Sequence, residues 1–112
     1  MTTLSITTES PEAATLLMEI MMEVERAHQK HPKWPDCPIK QIAIVSEESG
    51  ELTRAGNQLD EGKGTFEEIR TEAIQTAAVT IRFLMQLPKT KEAYNFPGIR
   101  EYFAEESEAG HE

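Results

Sequence analysis

The stretch that decides the fold is IKQIAIVSEESGELTRAGNQLDEGKGTFEEIRTEAIQTAAVTIRFLMQLP, residues 39–88. In its first half Ile42, Val45, Ser49, Leu52 and Leu59 recur at helical spacing, which predicts a helix from near Ile39 to about Asn57 with that face inward. Asp60-Glu61-Gly62-Lys63-Gly64 breaks the pattern. Thr65-Phe66-Glu67-Glu68 then reads as a capping box, in which the Thr65 hydroxyl and the Glu68 carboxylate answer the first free amides of the next helix. Phe66, Ile69, Ala73, Ala77, Ile81 and Leu84 continue at threes and fours to about Leu87, where Pro88 is expected to stop the helix. So short a connection makes the two helices antiparallel neighbours.

Working outward, Ser10-Pro11-Glu12 supplies an N-cap, a first-turn proline and an acid at the positive helix end. That helix is expected to reach about Gln29 and to bury Leu16, Leu17, Ile20, Met21, Val24 and Ala27, with Met18, Met21 and Met22 as adaptable filler. Pro32, Pro35 and Pro38 fall within seven residues, so the segment carrying Trp34 is a stiff loop. Beyond Pro88, Pro97-Gly98 is a turn, Ile99 to Glu105 a short amphipathic helix, and 106–112 a frayed end. No strand pattern and no internal repeat emerge. The expectation is one all-α domain over 1–112, its core at about 10–88, as a helical bundle completed by oligomerisation.

The chain has 112 residues, with 20 acidic against 11 basic side chains and a net charge of −9. So much negative charge disfavours a general binder of nucleic acid or of membrane surfaces, unless a cation bridges the contact. Cys37 is the single cysteine, which excludes an intrachain disulfide or a thiolate zinc site and fits a reduced, cytoplasmic protein. Met1 to Thr8 lacks the basic-then-apolar order of a secretory signal, and no apolar run nears the roughly 18 residues of a membrane span.

Chemistry gathers on the two central helices. Glu47, Glu48 and Glu51 lie within about one turn of each other, nearly opposite the Ile42-Val45-Ser49-Leu52 stripe. On the next helix Glu68, Glu72 and Gln75 share a side away from its apolar stripe. One reading is a pair of solvated acidic faces. In the other, the faces converge, and carboxylates that would repel one another are neutralised by a hard cation, magnesium or manganese in its place.

Glu47-Glu48-x-x-Glu51, twenty residues, then Glu72-x-x-Gln75 resembles the MazG-like all-α nucleoside triphosphate pyrophosphohydrolases, whose pattern is EExxE followed by ExxD. The resemblance covers roughly residues 39–87, and Glu72-Ala-Ile-Gln-Thr-Ala-Ala-Val is similar to phage and bacterial members. It implies a magnesium-dependent enzyme that cleaves a (d)NTP to the monophosphate and pyrophosphate, assembled as a dimer or tetramer. It implies metal ligation by Glu47, Glu48, Glu51 and Glu72, with Gln75 standing where the family has an aspartate. An amide gives one carbonyl oxygen and no charge, so metal affinity should fall and a second ion could be lost, unless an acid such as Glu68 compensates. Glu47 or Glu48 is the candidate to orient or deprotonate the attacking water.

Among Lys30, Lys33, Lys40, Arg54, Lys63 and Arg82, chiefly Lys33 and Arg82 are taken as candidate phosphate clamps, although such side chains on acidic helices are more often surface partners of glutamates. Trp34 either packs in the core or stacks on a nucleobase, with His31 beside it. A di-iron bundle is set aside, because the two central helices carry no histidine. The run Gly56 to Gly64 has neither the spacing nor the Ser/Thr of a phosphate loop. Three readings stand: the pyrophosphohydrolase, a relative that binds nucleotide or metal without turnover, and an acidic helical interaction module.

Overall fold

The hydroxyl of Ser10 accepts from the Ala13 amide at 3.2 Å with Pro11 in the first turn, so the first helix begins where its cap residues place it. The computed structural model describes residues 5–110, with side chains to 106. Residues 1–4 of the Met1–Thr8 stretch and 111–112 of the expected frayed end therefore lie outside the described residues. Within them the chain is all-α: α1 Pro11–Lys30, α2 Pro38–Asp60, α3 Phe66–Tyr94 and α4 Ile99–Gly110. No helix among the described residues is long and apolar enough to cross a membrane.

The α2–α3 hairpin is the frame. Gly62 turns the chain at φ 78°, while a Cβ at Gly64 would sit 2.9 Å from the Leu59 nitrogen, so both positions need glycine. The amides of Lys63 and Gly64 both bond the Gln58 carbonyl, at 2.8 and 3.0 Å. Across the turn the Thr65 hydroxyl accepts from the Glu68 amide at 3.1 Å, the hydroxyl half of the expected capping box. Further along, the Thr76 hydroxyl lies 2.7 Å from the Glu72 carbonyl and 3.1 Å from the Glu48 carbonyl, tying one helix to the other at a fixed register.

The central element is α3: α2 packs along it, α1 packs on it, and α4 touches the ends of α2 and α3, whereas α1 and α2 do not pack on each other. Arg70 reaches from α3 to Glu19 on α1 with both guanidinium nitrogens. The well-buried side chains are few, among them Val24, Ala55, Ala78 and Val79, with Cys37 and Phe103 at the α4 end. There the Cys37 thiol donates to the Phe103 carbonyl at 3.6 Å, and Phe103 stacks on Tyr94 at 6.1 Å.

Three expectations change. Pro88 does not stop α3, which continues to Tyr94. The backbone bond that proline forfeits is offset by what the extension docks: buried Thr90 accepts from Gln41 at 2.9 Å, and Tyr94 meets Phe103. Second, α4 runs on to Gly110, past the expected start of fraying at 106. Third, the inward faces are offset from the apolar stripes. Gln41 and Ala55 are the buried positions of α2 and Ala78, Val79 and Thr90 those of α3, while Ile42, Phe66 and Leu84 are exposed. Leu16 and Leu17 on α1 are exposed too. The periodicity located the helices, but polar Gln41, buried, and Glu48, half-buried, took inward positions on α2.

Gln41 is fully buried and pins the proline-rich loop: its Nε2 donates to the carbonyls of Pro35 (2.9 Å) and Asp36 (3.3 Å) as well as to Thr90. Replacing Gln41 by alanine strands those acceptors and leaves a cavity, so it should cost about 3 kcal/mol of stability. Urea unfolding of the two proteins checks this, and a loss below about 0.5 kcal/mol, the ordinary range of surface changes, would mean the loop is held by something else.

Candidate metal centre

Glu48 and Glu51 share a side of α2 because they are three residues apart, and Glu72 sits on α3 one turn before Thr76. The Thr76 bridge brings the two turns level. As a result one carboxylate oxygen from each of Glu48, Glu51 and Glu72 lies within 4.8 Å of the others. These three can hold a metal ion. Opposite ligands of a cation with bonds of about 2.1 Å stand about 4.2 Å apart, so small side-chain rotations suffice to close the set.

The donor atoms fit that role in a second way. Glu48 Oε2 and Glu72 Oε2 are both buried without a hydrogen-bond partner, an arrangement that is costly for a charged oxygen left alone. Burial first, then the charges of Glu51, Glu72, Glu47 and Glu23, raise the proton affinity of Glu48 above the usual carboxylate range. Burial, then the Glu51 charge and a hydrogen bond shared with Glu51, do the same for Glu72.

One member of the cluster, Glu48, also lines a cleft that exists because α1 and α2 stay apart over α3. Its volume is about 450 Å³. Gln75, Ala78, Val79 and Arg82 of α3 form the floor, Glu23, Arg26 and Lys30 of α1 one wall, Ile44 and Glu48 of α2 the other, and Lys33 and Trp34 of the loop close the end. The Arg82 guanidinium lies 4.8 Å from the Trp34 ring centre and donates to the His31 carbonyl at 2.8 Å. Burial lowers the pKa of Arg82 from the ordinary arginine value, and no carboxylate pairs with it among the described salt bridges. The indole nitrogen of Trp34 is likewise buried without a partner.

Of the residues expected from sequence, Glu48, Glu51 and Glu72 converge, and Gln75, Trp34, Lys33 and Arg82 line the same cleft as Glu48. Glu47 is exposed and stands outside the trio. Glu68 lines a different hollow, with Glu51, Arg54 and Glu72, rather than the cleft that holds Gln75. Lys63 pairs with Glu61 at 3.6 Å. Sequence reasoning missed Glu23, Arg26 and Thr76. The first two left a trace in the polar positions beside Val24 and Ala27 on α1, whereas a threonine at 76 carries no sequence signal of bridging two helices.

The chain matches no protein-family model, no curated protein and no solved structure.

The raised carboxyls of Glu48 and Glu72 carry a sign. Because the folded protein binds these protons more tightly than the unfolded chain, their contribution to stability is full below the ordinary carboxylate range and is lost as pH rises through the raised values. A cation replaces the protons. With a chelator present, the melting temperature should fall as pH rises above the ordinary carboxylate range; saturating magnesium or manganese should restore it by several degrees at about pH 7.5 and have little effect near the ordinary carboxylate pKa. Scanning calorimetry at both pH values reads this directly, and an increment that is independent of pH would contradict it.

Proposed function

We propose that this chain is a magnesium-dependent nucleoside triphosphate pyrophosphohydrolase of the MazG-like type, converting a (d)NTP to the (d)NMP and pyrophosphate. One observation carries the reading: an acidic trio with two orphaned buried oxygens borders, through Glu48, a cleft lined by Arg26, Lys30, Lys33, Arg82 and Trp34. Acid at one end and base with an aromatic at the other suit an anionic phosphate chain bridged to carboxylates by a cation.

Glu48, Glu51 and Glu72 would hold magnesium, whose chemistry there is to neutralise phosphate oxygens and polarise the phosphorus they surround. Arg82 and Lys33 bind the triphosphate, Arg82 having a desolvated guanidinium with no competing carboxylate. Trp34 offers its indole N–H and ring edge to a base at the loop end. Water attacks the α-phosphorus, the bond to the oxygen bridging toward the β-phosphorus breaks, and a carboxylate takes the proton. Glu47 and Glu48 are the candidates.

Gln75 favours a second reading, in which the same cleft binds metal and nucleotide without turnover, because the amide beside Glu48 brings no charge. The assay is pyrophosphate release from a panel of common and modified (d)NTPs with magnesium or manganese. Wild type should turn over, and Glu48→Gln or Glu72→Gln should lose at least about a hundredfold in rate while keeping its helical content. A silent wild type whose Gln75→Asp variant is active selects the second reading; full activity in either glutamine variant removes the site.

Assembly with a second copy belongs to the same proposal. The chain forms a slab of 47 × 39 × 23 Å with a radius of gyration of 16.7 Å, where a compact domain of about 100 residues has about 13 Å. A layer two helices thick cannot cover both its faces, and Phe66 (77%), Leu84 (56%) and Met85 (66%) are left open to solvent along α3. Light scattering should give at least twice the 12.6 kDa chain mass, and Phe66→Glu with Leu84→Glu should shift it toward monomer. A monomeric wild type would contradict the homo-oligomer.

A further inference from the structure

Trp34 and Arg82 border two spaces. One is the cleft between α1 and α2; the other is a second hollow of about 330 Å³ between the proline-rich loop, α1 and the later turns of α3. The two differ in chemistry. The walls of the cleft carry Glu23, Arg26, Lys30, Lys33 and Glu48, which suits a phosphate chain and its cation. The hollow is lined by Val24, Pro32 and the Trp34 ring together with Glu25, His28 and Gln86. Apolar and aromatic surface with a few hydrogen-bonding groups is what a small planar ring requires.

Helix α3 links the two spaces. Gln75 and Arg82 line the cleft, and Arg82 and Gln86 line the hollow; at helical spacing the three share a face. Gln75 and Gln86 stand about 16 Å apart along the axis, on the scale of an extended nucleoside triphosphate. Gln86 is half-buried, yet its side-chain amide makes no hydrogen bond among the described residues. Across the hollow on α1, Glu25 Oε1 accepts from Gln29 at 3.3 Å, which leaves the other carboxylate oxygen for a ligand. An amide both donates and accepts, whereas an ionised carboxylate only accepts.

Resting on the nucleotide reading above, we infer that this hollow seats the nucleobase and that Gln86 and Glu25 select a base bearing an exocyclic amino group. Such a group has two hydrogens to give, one to the Gln86 carbonyl and one to the Glu25 carboxylate, while the Gln86 amide hydrogens meet the neighbouring ring nitrogen. Thymine and uracil carry a carbonyl in that place. Its oxygen would face the carboxylate with no hydrogen between them, and a buried acceptor left unpaired is what a hydrogen-bonding site rejects most strongly. Arg82, whose guanidinium stands 4.8 Å from the Trp34 ring centre, marks the passage from the phosphates to the base.

The test is titration calorimetry of the whole chain with magnesium and the α,β-imido analogues of dATP, dCTP, dTTP and dUTP, with inorganic tripolyphosphate as the probe that lacks a base. The dATP and dCTP analogues should bind about tenfold or more tighter than the other two. Gln86→Leu should weaken the dATP and dCTP analogues by a similar factor and leave tripolyphosphate unaffected. Glu25→Gln, at an exposed position of α1, should admit the dTTP and dUTP analogues and erase most of the preference, which keeps the inference testable if Gln86→Leu does not fold. Equal affinity for the four analogues, or a preference that survives Glu25→Gln, would overturn it. Pyrophosphate release measured in parallel separates the two ideas. Tripolyphosphate binding and turnover without base preference keep the enzyme and remove the base hollow; base preference without turnover does the reverse; and no binding of any probe removes both.

Discussion

Like charges held close in partly buried positions are the constraint on which this structure turns. One oxygen each from Glu48, Glu51 and Glu72 stands within 4.8 Å of the others, and the fold does nothing to disperse them. The Thr76 hydroxyl, between the carbonyls of Glu48 and Glu72, keeps the two helices in register, and the glycine turn at Gly62 and Gly64 keeps them antiparallel. Repulsion is therefore built in by the same interactions that build the hairpin. Protons or a cation relieve it, and at neutral pH a cation is the stronger means.

The second consequence is the cleft. Since α1 packs on α3 but not on α2, the floor of α3 stays open between them, and the helix faces that border the gap carry charge. Glu23 and Glu48 face each other from the two walls, with Arg26 and Lys30 along the α1 side and Arg82 on the floor. Gln41 holds the loop that closes this space, spending its amide on Pro35, Asp36 and Thr90. Stability and the shape of the site thus depend on the same buried side chain.

Much of this was legible in the sequence. The caps at Ser10 and Thr65, the break at Asp60 to Gly64 and the helical spacing of the glutamates located the helices and, of the four acids expected to gather, the three that converge. What the sequence hid is physical in kind. Pro88 is a helix breaker by local rules, but docking of Thr90 and Tyr94 outweighs the loss of one backbone bond. The apolar stripes of Phe66, Leu84 and Ile42 were read as core, yet a single chain leaves them exposed, because periodicity shows that a face is apolar and not what covers it.

The central claim is that Glu48, Glu51 and Glu72 hold the cation that presents a triphosphate to the cleft. The measurement that tests it most directly is anomalous diffraction from crystals grown with manganese and an α,β-imido nucleoside triphosphate, whose bridging nitrogen resists cleavage. The account predicts an anomalous peak about 2 Å from oxygens of all three glutamates, with the phosphate chain running toward Lys33 and Arg82. A manganese peak bound elsewhere, or nucleotide seated away from the acidic trio, would contradict it.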